Sequence, residues 1–347
     1  MEAQPTVSSF VEPSAGSAAR RRGVVARLIE TQRKRIAGLR DVPARTALRA
    51  ANTAPLRRIL GAKYQAAIER HRANLPTLTG IDAQIVSALL RDGVFITSLE
   101  ALSLPGSAGI VDLADAMADD FAAEARRRVR AGIDFNVVPP GPLVATPEVF
   151  RWGLHDRLLD IAEAYLELPV AYDGVSINYT VADGREVSTR KWHRDWEDRK
   201  MLKIAVYLND VDDQGGPLQV VGRHHIAQDD ANGYRYELAS DEELGAVLGE
   251  GFRKDIVSCE GPKGTVVFTD TARYFHRGKP AVTRDRKALF YSYFARTPRH
   301  PFFCERSGLS RSDIATLSQG MMPRQRAVTA WRTTLPWLLQ LIPPAQL

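Results

Sequence analysis

The sequence of 347 residues has only two cysteines, Cys259 and Cys304, and they do not form a CxxC pair. This excludes a disulfide framework and a zinc ribbon, and it is typical of a reducing compartment. Long hydrophobic runs are also lacking, because the longest apolar stretch near the end, residues 335–347, is far shorter than the roughly 20 residues that span a bilayer. The first residues lack the basic and apolar regions of a secretory signal, so we expect a soluble, cytoplasmic protein.

The composition, with 44% hydrophobic and 25% charged residues, allows a sizeable core and excludes global disorder. At roughly 100–200 residues per domain, the length suits one large domain with extensions, or two domains. The sequence pattern predicts a basic, partly helical extension over residues 1–77, a main domain over residues 78–297, and a helical tail over residues 298–347 that packs on the core. It does not determine the oligomeric state.

Positive charge is concentrated in residues 1–72, which contain fifteen Lys or Arg against five Asp or Glu. Residues 20–40 carry apolar side chains at helical spacing and predict a basic amphipathic helix, a form used on anionic membranes or nucleic acids. No aromatic residue is interleaved with these charges as a base-stacking surface needs, so we expect no nucleic acid partner. Two roles for residues 20–72 stay open: weak contact with an anionic surface, and a solvated arm packed on the main domain.

The chain after Pro76 is predicted to begin with a helix over 81–93, a strand over 94–99, and further helices over 111–132 and 155–168. From residue 169 to about 297 the pattern changes to short β segments separated by turn clusters, with no helices between them. This pattern favours a sandwich or barrel over a parallel sheet. The tail is predicted to be helical around 310–317 and 326–341, where Pro336 should break the helix.

The informative motif is His193 and Asp195 in the segment KWHRDWED. Two residues apart on a strand, these side chains point to the same face. Together they supply two-thirds of the 2-His-1-carboxylate triad that leaves positions open on Fe(II), although an isolated HxD is more often a surface pair or a hydrogen-bonded core histidine. His276, 81 residues after Asp195, is the candidate third ligand. Arg286 follows ten residues later, and its planar guanidinium can donate two parallel hydrogen bonds to a carboxylate.

Three further residues are candidates for contact with a bound molecule. Lys203 interrupts an otherwise apolar strand, where it could meet an acidic substrate or the co-substrate, or extend to solvent at a sheet edge. Asn178 and Tyr179 lie on the strand before the HxD motif, with core packing as the alternative for the tyrosine. His300, in the tail, has no evident partner and is expected to be solvated.

Residues 193–225 resemble the core of the phytanoyl-CoA dioxygenase-like family of Fe(II)/2-oxoglutarate oxygenases. That family has an HxD strand, an NGPL-type turn leading to a PGSH-like segment, and a distal His followed about ten residues later by an Arg. In this chain the same order is formed by the HxD motif, by GGPLQVVGRHH over 215–225, and by His276 with Arg286. The segment 88–99 also resembles the family's first helix and strand. The departures are VGRH in place of the PGSH-like segment, and Gly278 where some relatives carry a serine.

The resemblance implies a mainly β protein with flanking helices around a double-stranded β-helix core, that is, a jelly-roll or cupin-like fold. It implies that His193, Asp195 and His276 ligate Fe(II), and that 2-oxoglutarate and O2 are co-substrates. The far carboxylate of 2-oxoglutarate is expected on Arg286, with Arg284 and Lys287 as neighbouring alternatives.

The reaction implied by the resemblance is hydroxylation of a small organic substrate, with release of succinate and CO2. Halogenating relatives replace the HxD carboxylate by a small residue, so Asp195 favours hydroxylation. Desaturation, epoxidation and ring closure on the same fold remain alternatives. A non-catalytic binding module, recruited through the basic N-terminal arm, is the alternative from another class of protein.

Overall fold

The computed structural model describes residues 41–223, 225–227 and 233–345. The first half of this part is mainly helical, and its elements in chain order are α1 Val42–Ala51, α2 Ala54–His71, α3 Gly80–Asp92, β1 Val94–Ser98, α4 Leu99–Leu102, α5 Ser107–Arg130, α6 Pro140–Ala145, α7 Pro147–Trp152 and α8 Asp156–Leu166. The second half contains β2 Val170–Thr180, β3 Leu202–Tyr207, β4 Leu218–Val221, α9 Asp241–Leu248, β5 Ile256–Cys259, β6 Thr265–Asp270, β7 His276–Gly278, β8 Arg286–Ala295, α10 Arg311–Leu317, α11 Pro323–Thr329 and α12 Trp337–Gln340.

Two antiparallel sheets organise the described strands. The larger has the order β1-β6-β3-β8-β2, and the smaller has the order β5-β4-β7. In the larger sheet β3 is central, so that Lys203 pairs with Thr269 of β6 on one side and with Ser292 of β8 on the other. The strands β3 and β6 are buried along almost their whole length, because both faces of this sheet are covered.

The two faces of the larger sheet have different partners. On one face, Ile204 and Tyr291 belong to a core that includes residues of α3, α5 and α8. On the other face, Ala205 packs with Val220 and Cys259 of the smaller sheet. Because consecutive side chains on a strand alternate between faces, odd-numbered residues of β3 are directed between the two sheets. Lys203 is one of these residues.

The helices predicted over 81–93, 111–132 and 155–168 are confirmed as α3, α5 and α8, and the predicted first strand is confirmed as β1. The prediction of a β region without helices is wrong, because α9 lies between β4 and β5. A capping box formed by Ser240 and Glu243 begins this helix. The short strands β5 and β7 were not predicted, since four and three residues are too few to show a period of two.

The tail differs from the prediction in its details. The first tail helix is confirmed as α10, but the second predicted helix is divided. Its first part, α11, ends at Thr329, and a single 3₁₀ turn, Trp331–Thr334, separates it from α12, which begins after Pro336. Leu317 and Val328 pack in the same core as α3 and α8, so the tail is in contact with the helical side of the domain.

The chain on the N-terminal side of residue 78 contributes two described helices. Ile68 of α2 packs on Leu168 and Ala295, and Ala44 of α1 packs in a cluster with Trp196 and Ala345. The basic helix predicted over 20–40 lies outside the described residues. Among the residues that are described, no helix is both long and apolar enough to cross a membrane.

Candidate metal centre

Three side chains with metal-ligating atoms come together between the sheets. One ligand atom from each of His193, Asp195 and His276 lies within 4.8 Å of the others. His276 opens β7, and its backbone exchanges two hydrogen bonds with His193, at 3.0 and 2.9 Å. The Asp195 amide donates to the carbonyl of Thr271 at 2.8 Å. The predicted set of three residues is therefore assembled in one place.

The prediction that His193 and Asp195 lie on a strand is wrong. Both residues belong to the connection between β2 and β3, where His193 forms only an isolated bridge with His276. Their side chains converge because the connection is hydrogen-bonded to the segment 271–276, which follows β6. The two side chains therefore lie close together for a structural reason other than the predicted strand.

Both histidine rings are oriented by backbone carbonyls. Nδ1 of His193 lies 2.8 Å from the Lys191 carbonyl oxygen, and Nδ1 of His276 lies 3.3 Å from that of Tyr274. A proton on each Nδ1 satisfies these contacts and leaves the Nε2 lone pairs free for a metal ion. Burial, together with the neighbouring His193 ring, lowers the pKa of His276 to about 3, and burial also lowers the pKa of His193. Both rings are therefore neutral at neutral pH, as metal ligation requires.

Asp195 is charged although it is largely enclosed. Burial by itself would raise the pKa of Asp195, but the positive charge of Lys203 and the two nearby histidine rings outweigh it and hold the pKa below its usual range. Nζ of Lys203 is 2.6 Å from Oδ2 of Asp195, and the same oxygen is 3.9 Å from Nε2 of His276. Apart from this ion pair, no hydrogen-bond partner for that buried oxygen is present in the described part of the chain, so lone pairs remain for a cation.

The guanidinium of Arg286 is a buried positive charge in the same cavity as the three candidate ligands. Its guanidinium donates to the carbonyl of Gly216 and, at 3.2 Å, to the hydroxyl of Thr180. It is only 7% exposed, and burial lowers its pKa. No carboxylate among the described residues lies within ion-pairing distance of it. A buried guanidinium without a carboxylate is costly unless an anion is bound, so this residue indicates an anion site.

Two glycines near this guanidinium occupy positions where a side chain would not fit. Gly216 has φ of +72°, and a Cβ there would lie 2.6 Å from the carbonyl oxygen of Lys279. A Cβ on Gly278 would lie 2.6 Å from Nη2 of Arg286. The glycine two residues after His276 is thus needed for the position of Arg286, whereas the glycine of the GGPL turn is needed for the close approach of two backbone segments.

The two alternative anchors lie elsewhere and are already paired. Arg284 is half exposed and forms an ion pair with Asp212 at 2.8 Å. Lys287 pairs with Asp115 and, at 2.8 Å, with Asp119 of α5. Of the three basic residues considered from the sequence, Arg286 is the one that lines the cavity with the metal-ligating cluster.

The candidates on β2 differ in where their polar groups lie. Asn178 lines the cavity, and its Oδ1 accepts a hydrogen bond from Ser176. Tyr179 also contributes to the wall, but its ring belongs to the core on the helical side of the sheet. Its hydroxyl donates to Asp285 at 2.7 Å. Tyr179 therefore matches the packing alternative more closely than contact with a bound molecule.

The cavity around these groups has a volume of about 300 Å³. Its remaining wall contains Trp196, which flanks the HxD motif, and residues that no sequence motif indicated: Phe135, Glu197, Tyr236, Phe290, Ser292 and Arg306. The Trp196 and Tyr236 rings are 4.1 Å apart between centroids, and the Arg306 guanidinium lies 4.9 Å from the Trp196 ring. Burial and the charge of Asp195 raise the pKa of Glu197 to about 8. Only adjacency to the HxD motif could have indicated Trp196 and Glu197 in advance.

His300 is not solvated, and that prediction is wrong. It is 0% exposed, with Nδ1 2.6 Å from the Trp196 carbonyl oxygen. Burial lowers its pKa to about 3. His71 and His225 instead form contacts with the carboxylates of Glu163 and Asp255, at 2.9 and 3.0 Å.

Comparison with known proteins gives weak likenesses. No protein-family model and no curated protein matches the chain. Among solved structures, it is similar to EctD from S. alaskensis with bound Fe, at 22% identity and a TM-score of 0.43, over 66% of this chain and 85% of that chain. It is also similar to AviO1 from Streptomyces viridochromogenes Tue57, at 19% identity and a TM-score of 0.39, over 63% and 96% of the two chains. A third is the non-heme alpha ketoglutarate dependent carbocyclase SnoK from nogalamycin biosynthesis, at 16% identity and a TM-score of 0.41, over 64% and 85%.

Proposed function

We propose that this chain is an Fe(II)- and 2-oxoglutarate-dependent dioxygenase that hydroxylates a small organic substrate. The observation that carries the proposal is the presence, in one cavity, of the His193–Asp195–His276 cluster and the buried Arg286 guanidinium. The three ligand side chains alone would also suit a structural metal ion or one that catalyses hydrolysis. The separate anion site supports a co-substrate that has a metal-chelating end and a distant carboxylate.

The donor set fits a ferrous ion. Two neutral imidazoles and one carboxylate form the 2-His-1-carboxylate set typical of non-haem Fe(II), and this set leaves coordination positions for other ligands. His193, Asp195 and His276 would hold the ion, and Lys191 and Tyr274 orient the two rings through their carbonyls. The ion, when bound, would supply the O2 chemistry that no protein side chain can perform.

The protein's own part is to bind, to orient and to exclude water. Arg286 would hold the far carboxylate of 2-oxoglutarate through its planar guanidinium, and Gly278 leaves space for that group. Asn178 and Lys203 line the same cavity and are proposed as further contacts to the co-substrate. The wall around Trp196 and Tyr236 is proposed to hold the substrate.

We further assign the strands to a double-stranded β-helix core, supported by two antiparallel sheets that face each other with the cavity between them. The division into an extension over 1–77, a domain over 78–297 and a tail over 298–347 stays part of this proposal. So does the contact of residues 20–72 with an anionic surface.

In the proposed reaction, 2-oxoglutarate and O2 react with a substrate C–H group to give succinate, CO2 and the corresponding alcohol. One oxygen atom of O2 enters succinate and the other enters the substrate. Asp195 keeps a carboxylate in the position that halogenating enzymes leave open, which favours hydroxylation. Desaturation, epoxidation and ring closure need the same ligands, so only product analysis separates them.

The test is an anaerobic titration of the metal-free protein with Fe(II) and then with 2-oxoglutarate, followed by visible absorption. We expect a metal-to-ligand charge-transfer band that requires both additions. His193→Ala should abolish it. His225→Ala is the matched control, because His225 pairs with Asp255 outside the ligand cluster and its loss should leave the band unchanged. Folded wild-type protein that shows no band would contradict the proposed function.

A further inference from the structure

Lys203 contacts the oxygen that a metal ion needs. Its Nζ is 2.6 Å from Oδ2 of Asp195, and this oxygen is the one that approaches Nε2 of His276, at 3.9 Å. A cation held by the histidines and by this oxygen would therefore be close to the lysine ammonium. A divalent ion and a neighbouring ammonium group repel each other strongly in a cavity of low dielectric constant.

The lysine is held in this position by the fold. It projects from the centre of the larger sheet, between β6 and β8, and its side chain is 22% exposed. Among the described residues, Asp195 is the one carboxylate within ion-pairing distance of its Nζ. Arg306 and Glu197, whose pKa is raised to about 8, are the other titratable cavity residues that interact electrostatically with it. Thr269 and Ser292, its neighbours across the two strand pairs, line the same cavity, and the Thr269 hydroxyl donates to the carbonyl of Gly93 at 3.2 Å.

We propose that Lys203 competes with the metal ion for Asp195 and that, once displaced, its ammonium binds an oxyanion next to the metal. This inference rests on the proposed metal centre. Metal entry breaks the ion pair with Oδ2, and the three N–H groups of the ammonium then need new acceptors inside a confined cavity. The oxyanion that arrives at the metal is the acceptor that also carries a compensating charge.

The charge balance gives this arrangement a distinct consequence. A ferrous ion with Asp195 alone has a net charge of +1, and Lys203 adds one more positive charge. The added charge disfavours the cation and favours the anion that binds after it. Lys203 thus weakens metal binding and strengthens the binding of 2-oxoglutarate to the metal-loaded protein.

The test compares wild type with Lys203→Met, which keeps an unbranched side chain one atom shorter and removes the charge. Metal affinity is measured anaerobically with Fe(II), and with Co(II) as a spectroscopic probe. The affinity of the metal-loaded protein for 2-oxoglutarate follows. We expect Lys203→Met to bind the metal about tenfold more tightly and 2-oxoglutarate about tenfold more weakly. Lys203→Arg, which keeps the charge, should stay close to wild type in both measurements.

Competition between Lys203 and the metal ion predicts that Lys203→Met changes the two affinities in opposite directions, tighter for the metal and weaker for 2-oxoglutarate. If Lys203 only supported the position of Asp195, Lys203→Met would weaken metal binding, and that outcome overturns the inference while leaving the metal centre in place. Unchanged affinities for both ligands overturn it as well. A folded wild-type protein that binds neither ion overturns both the metal centre and the role of Lys203. Thermal unfolding of each variant verifies that the comparison is made between folded proteins.

Discussion

The placement of Arg286 against Gly278 makes a sharp prediction for Gly278→Ala. The added Cβ would lie 2.6 Å from Nη2 and 3.2 Å from Nη1 of Arg286, so the guanidinium must move by about 1 Å to reach an ordinary contact. That movement costs the fork one of its charge-assisted hydrogen bonds to a bound carboxylate, worth about 1.5–3 kcal/mol. The affinity for 2-oxoglutarate should fall by about 10- to 150-fold.

The assay is the 2-oxoglutarate dependence of the charge-transfer band in Fe(II)-loaded protein. Metal affinity should be unchanged, because the alanine methyl meets Arg286 and leaves the three ligand residues in place. Gly109→Ala is the matched control, since a Cβ at Gly109 in α5 meets nothing within 4 Å. Wild-type affinity for 2-oxoglutarate in Gly278→Ala would refute the reasoning, and so would an equal loss of metal and co-substrate binding.

Two further predictions follow from charge and burial. Arg286→Gln should weaken 2-oxoglutarate binding by about 2–5 kcal/mol, the usual cost of removing one partner of a buried charged pair, whereas Arg284→Gln should have almost no effect because Arg284 is paired with Asp212 on the surface. Equal effects in a binding titration would contradict the assignment of the anchor. The pKa of buried His300 is lowered to about 3, so the unfolded chain takes up this proton first as the pH falls below about 6.5. The stability due to neutral His300 is therefore present above about pH 6.5 and is lost toward pH 3, by about 2 kcal/mol between pH 7.5 and pH 5. Urea denaturation at both pH values should show a smaller acid loss in His300→Gln, and an identical loss would show that His300 does not carry the effect.

The longer helices and strands could be predicted because the spacing of apolar residues along the sequence indicates them. The helices α3, α5 and α8 have apolar residues at helical spacing, and α3 ends at Gly93 as expected. The longer strands of the larger sheet are short apolar runs bounded by turn residues, because both faces of the sheet are covered. The three-residue strand β7 and the helix α9 were not predicted. β7 is too short to show a period, and α9 lies within a stretch where strands dominate the pattern.

At the candidate metal centre, too, the sequence predicted some features, and long-range contacts determined the others. The spacing of His193 and Asp195 predicted that their side chains lie together, and they do, yet the strand inferred from that spacing is absent from the described structure. Hydrogen bonds to the segment 271–276 bring the pair to His276, and such long-range bonds leave no local signal. The sequence around His300 likewise gave no indication that the carbonyl of Trp196, far away in the chain, would accept a hydrogen bond from its ring.

The sequence by itself determined the types of residue: an HxD pair, a distant histidine, an arginine ten residues later, and glycines where bulk is not tolerated. These are chemical facts about single positions and short spacings. Only the tertiary structure decided which charged groups meet. Arg286 is the basic residue that reaches the cavity because strand β8 begins there, while Arg284 and Lys287 find acidic partners outside it. Lys203 meets Asp195 because a central strand and a connecting loop are packed together, and electrostatic interactions depend on distance in space, which the order of residues does not contain.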